Sequence, residues 1–115
     1  MPDMSTLLPP AEALALTSLI ATTQKGIASR VLARTAGGNV TLFAFDAGQE
    51  LTEHSSPFDA LVMVLDGELT LTIGGNGVSA PSGSITLMPA DVPHGVHAGE
   101  PSRMLLIMLR EPGAA

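Results

Sequence analysis

The chain has 115 residues, 45% of them apolar and 14% charged, which is enough for one buried core and too apolar for a disordered tail. Eleven acidic residues against five scattered basic ones leave a net charge of −6, which excludes the clustered basic footprint of a nucleic-acid binder or an anionic-membrane binder. The absence of cysteine excludes disulfides, thiolate metal sites and thiol nucleophiles, and the absence of Trp and Tyr excludes an aromatic stacking platform.

No segment approaches the roughly 20 apolar residues of a membrane span, and the early residues lack the basic start of a secretory signal. The expected compartment is the cytoplasm. Residues 1–10, with Pro2, Pro9 and Pro10, read as a frayed start. Residues 11–24 read as a short helix, because Leu16, Leu19, Ile20 and Thr23 follow the spacing of one helical face. Lys25 and Gly26 suit its last turn and cap. The expected division is an arm and helix over 1–26 and a single barrel domain over 27–115.

From Ile27 the period changes to two. Strands are expected over Ile27–Thr35, Val40–Asp46, Asp59–Leu65 and Glu68–Ile73, then over Ser84–Met88, Val92–His97 and Arg103–Arg110. Asp66-Gly67 carries the strongest hairpin signal, because a type I′ turn needs positive φ. Eight or so short strands with turns at this interval predict an all-β sandwich or small barrel.

Two of these strands are apolar on both faces: residues 59–65 read D-A-L-V-M-V-L, and residues 104–109 read M-L-L-I-M-L. One face can line a barrel interior, and the other needs a second cover. A homodimer is the expected partner arrangement, with Leu61, Met63 and Leu65 on the shared face.

The chain has three histidines, His54, His94 and His97. The residues around the first two resemble the cupin family. Its first motif, G-x5-H-x-H-x3-E-x6-G, falls on Gly48, His54, Ser56, Ala60 and Gly67. Its second, G-x5-P-x-G-x2-H-x3-N, falls on Gly83, Pro89, Asp91, His94 and Ala98. The resemblance covers roughly residues 38–110 and implies an RmlC-like jelly-roll barrel.

In that family three His and one Glu hold a divalent ion inside the barrel. Carried over, this chain keeps His54 and His94, with Ser56 and Ala60 at the other two positions. The resemblance implies a pocket at His54, Ser56 and His94, lined by Ala60, Val62 and Val64. It would hold a small molecule and, weakly or partially, a divalent ion such as Zn, Ni, Fe or Mn. Glu50, in an expected turn, and Asp59, one residue from the Glu position, are the nearest substitute carboxylates. His97 lies three residues from His94, an odd offset that places it on the opposite strand face unless a bulge intervenes. Three roles follow: a small-molecule binder, a metal-dependent enzyme of oxygenase, isomerase or lyase type, and a non-catalytic scaffold.

Overall fold

The computed structural model describes residues 7–111. Within it nine strands form two sheets. They are β1 (Ile27–Thr35), β2 (Gly38–Phe45), β3 (Glu50–His54), β4 (Asp59–Asp66) and β5 (Glu68–Ile73), then β6 (Asn76–Pro81), β7 (Ile85–Met88), β8 (His94–Ala98) and β9 (Ser102–Leu109). One sheet has the order β1-β2-β9-β4-β7 and the other β3-β8-β5-β6, with every pairing antiparallel. This is the all-β, jelly-roll arrangement expected of the sequence.

Alternation fixes which side chains face inward. On the larger sheet Phe43, Met104 and Val64 form one cross-strand row, Thr41, Leu106 and Val62 the next, and Met108, Ala60 and Met88 a third. On the smaller sheet Leu51, Val96, Leu71 and Val78 share a row, and His54, His94 and Ile73 the row beyond it. The two inner faces close on a buried cluster that includes Phe45, Val62, Val64, Leu69, Leu71 and Met104.

Three expectations are corrected. The Asp66-Gly67 step is not a hairpin, because β4 and β5 belong to different sheets. It is a corner where the chain leaves one sheet for the other. Gly67 is required there for two reasons: its φ is +76°, and a Cβ would stand 2.2 Å from Ser102 Oγ and 2.5 Å from the Pro101 carbonyl oxygen. The close hairpins are instead β1–β2 and β5–β6.

The helix expected over residues 11–24 does not form. Only a single 3-10 turn at Leu16–Ser18 appears, and Ala11 and Lys25 adopt positive φ. The carbonyls a helix would use are taken by barrel arginines. The Arg103 guanidinium donates to the carbonyls of Thr17 and Ile20, and that of Arg30 to the carbonyl of Leu19. The segment is therefore an extended strap over the outer face of the larger sheet. Leu8 N–H donates to the Leu32 carbonyl, so part of the expected frayed start is tied down; residues 1–6 lie outside the described residues.

The third correction is β3, whose first residue, Glu50, was expected in a turn. No helix among the described residues is long and apolar enough to cross a membrane.

Candidate functional site

β3 carries a bulge between Leu51 and His54. Three residues along a regular strand would put these side chains on opposite faces, and the extra residue brings both inward. Gly95 on the neighbouring β8 makes room for it: a Cβ there would lie 3.1 Å from the Leu51 carbonyl oxygen and 3.3 Å from the Glu53 nitrogen. His54 thus pairs directly with His94 across the ladder. Their rings meet edge to face, with centroids 4.6 Å apart and planes at 62°.

Each ring is oriented by its own strand. His54 Nδ1–H donates to the Thr52 carbonyl at 2.9 Å, and His94 Nδ1–H donates to the Val92 carbonyl at 3.2 Å. A carbonyl only accepts, so each Nδ1 carries the hydrogen and each neutral ring keeps Nε2 as an acceptor. His94 is buried, at 5% exposure, whereas His54 stands exposed at the mouth.

The rings border a cavity of about 290 Å³. Its wall is Phe43, Leu51, Ala60, Met88, Val96, Met104, Leu106 and Met108, so among the described residues the two imidazoles are its only polar side chains. Ala60 is flanked by Met88 on one side and Met108 on the other. Two imidazole acceptors in an apolar cavity can hold a hydroxyl or draw a proton from a bound acid.

The other expected site residues lie elsewhere. Ser56 does not border the cavity: its Oγ accepts the Phe58 N–H at 3.4 Å, and its carbonyl accepts the Asp91 N–H at 2.8 Å. Val62 and Val64 face inward in the rows of Leu106 and Met104 but belong to the buried core cluster and do not border the cavity. Asp59 is exposed, and its Oδ1 accepts the Ala90 N–H at 2.9 Å. Glu50 and His97 pair on the outer face of the smaller sheet, with Oε2 and Nδ1 3.7 Å apart. His97 therefore points away from His94. The methionines of the wall are what sequence reading underweighted; the alternation that places Ala60 inward also places Met104 and Met108 inward.

A divalent centre of the four-ligand kind does not fit this donor set. Among the described residues no three of His, Asp, Glu or Cys lie close enough together to hold a metal ion. The position a carboxylate would need is Ala60, between two thioethers. Two neutral imidazoles supply no negative charge to compensate a dication.

Comparison with known proteins places the geometry. A family model described as the cupin domain matches residues 41–109. A conserved Streptococcus pyogenes protein of unknown function is 35% identical, with a TM-score of 0.85, over 90% of this chain and 91% of that one. A cupin superfamily protein from Desulfitobacterium hafniense is 27% identical, with a TM-score of 0.84, over 90% and 95%. A cupin 2 conserved barrel domain protein from Leptotrichia buccalis is 32% identical, with a TM-score of 0.79, over 83% of this chain and 46% of that one. No curated protein matches.

Proposed function

The chain belongs to the cupin family, and on that footing we propose that it is a binding barrel for a small organic molecule, working without a resident metal ion. The observation that carries this reading is the His54–His94 pair, which presents two Nε2 acceptors to an otherwise apolar cavity of about 290 Å³. A ligand that fits has an apolar body against Met88, Leu106 and Met108 and a hydroxyl or similar donor at the imidazoles. The same Nε2 atoms can act as a general base on that donor, which leaves room for metal-free turnover.

Titration with hexane-1,6-diol in chelator-containing buffer tests this. Backbone amide NMR shifts should move at Leu51, Ala60, Met88 and Val96, and His94→Ala should weaken the effect. Saturable shifts confined to other surfaces, or none, would contradict the reading and favour the scaffold role.

The assembly we propose with it is a homodimer of two copies of this chain. On the outer face of the larger sheet Leu105, Met63 and Ile85 form one row, and Ile107, Leu61 and Leu87 the next. Ile85 and Leu87 are 58% and 53% exposed. Two copies at −6 each repel, so the contact that suits them is this uncharged patch.

A further inference from the structure

The chain spends its few cations unevenly. Arg103 is paired with Asp66, and Arg30 donates to the Leu19 carbonyl. Arg34 and Arg110, by contrast, have no carboxylate partner among the described residues, in a protein with eleven acidic side chains. Both border one depression of about 170 Å³, together with Asn39 and Phe58. The Arg110 guanidinium lies over the Phe58 ring, 5.0 Å from its centroid, so its planar group is positioned without being neutralised.

Strand register ties this depression to the cavity. Arg34 pairs with Asn39, Asn39 with Met108, Met108 with Ala60, and Ala60 with Met88, in one unbroken cross-strand row. The last three residues of that row are cavity wall. Phe58 and Arg110 stand at two residues' remove along the chain from Ala60 and Met108, just past the ends of β4 and β9. The Arg110 N–H donates to the Gly37 carbonyl at 2.8 Å and continues the ladder to that point. The two arginines therefore lie at the end of the larger sheet where the row of Met108, Ala60 and Met88 forms cavity wall.

Resting on the ligand-pocket reading above, we infer that Arg34 and Arg110 form an anion-binding rim and that the ligand is a small carboxylic acid with an apolar body and a hydroxyl. The carboxylate meets the guanidiniums, the apolar body lies against Met108 and Met88, and the hydroxyl reaches the imidazoles. Guanidinium forks match a carboxylate in geometry as well as charge. The rim also counters the repulsion that a chain of net charge −6 exerts on an anion.

The experiment compares 6-hydroxyhexanoate with hexane-1,6-diol by NMR titration in chelator-containing buffer. The acid should bind the wild-type protein about tenfold more tightly than the diol. In an Arg34→Gln, Arg110→Gln variant that preference should collapse while diol binding persists. Both side chains are exposed, so the variant should keep its fold, which the amide spectrum checks directly. Raising the ionic strength should erode the wild-type preference and leave the diol unaffected. Equal binding of acid and diol, or a preference that survives in the double variant, would overturn the rim and leave the pocket standing. Binding of neither would overturn both.

Discussion

His54 and His94 face each other across one strand pair, with ring centroids 4.6 Å apart, because a bulge in β3 turns His54 inward against the Gly95 strand. Each ring's Nδ1 is occupied by a backbone carbonyl two residues earlier, so what the pair offers to the cavity is two acceptors. The account of ligand binding rests on that arrangement.

Restoring a carboxylate should convert the cavity into a metal site. Ala60 is 1% exposed and faces the cavity that both imidazoles border, so Ala60→Glu places an acid beside Met88 and Met108 in the same cavity as the rings. Without metal this should lower the melting temperature, at a cost of about 2 kcal/mol or more from overpacking and desolvation. With Zn²⁺ or Ni²⁺ the variant should melt higher than with chelator, since the ion binds only the folded site. Adding Ser56→His should help less than the family pattern implies, because residue 56 lies off the cavity. Calorimetry with and without metal checks both; an Ala60→Glu variant indifferent to metal would contradict the placement of residue 60.

The outer apolar patch gives a second test. Light scattering at micromolar concentration should report twice 11.7 kDa for the natural chain. An Ile85→Asp, Leu87→Asp variant should be monomeric and still folded, because both side chains are exposed within one protomer. A monomeric natural chain would remove the homodimer, and a fully dimeric variant would move the contact elsewhere.

The strap should detach when its clamp is cut. Arg103 Nε donates to Asp66 Oδ2 at 2.9 Å, and the same guanidinium reaches the carbonyls of Thr17 and Ile20. Arg103→Ala should cost about 1–2 kcal/mol by chemical denaturation and speed proteolysis within residues 11–25. Unchanged cleavage of that segment would mean that the arginine does not hold it.

Asp46 gives the pH dependence its sign. The N–H groups of Lys25 and Ala47 donate to its carboxylate at 2.6 and 2.9 Å and hold its pKa below the ordinary carboxylate value. A lowered folded-state pKa means stability that is present above the unfolded value and lost as pH falls through the folded one. Stability should therefore decline below about pH 4, and Asp46→Asn should flatten part of that decline. Denaturation midpoints of both proteins across the acid range check this; parallel profiles would contradict it.

Much of the fold was legible in the residues. The limits of Ile27–Thr35 and Glu68–Ile73 were readable to the residue, because period-two patterning ends there in turn chemistry. Asp66-Gly67 misled because the left-handed glycine of a sheet-switching corner carries the same signature as a hairpin turn. β3 was missed because Glu50, Thr52, Glu53 and His54 are exposed polar residues and the bulge breaks its alternation.

The N-terminal helix failed because its side-chain spacing does not reveal that Arg30 and Arg103, far along the chain, compete for its carbonyls. At the site, motif spacing located both imidazoles. Alternation showed that Val62 and Val64 face inward, but not that within their rows the cavity is bordered by Leu106, Met104 and Phe43 instead of by them.

The most direct measurement is the imidazole nitrogen NMR spectrum of the ¹⁵N-labelled protein in chelator-containing buffer, with and without hexane-1,6-diol. The account predicts Nδ1–H tautomers for both His54 and His94, and Nε2 resonances of both that shift on adding the diol while those of His97 stay fixed. Nε2–H tautomers, or Nε2 resonances indifferent to a diol that binds elsewhere, would contradict it.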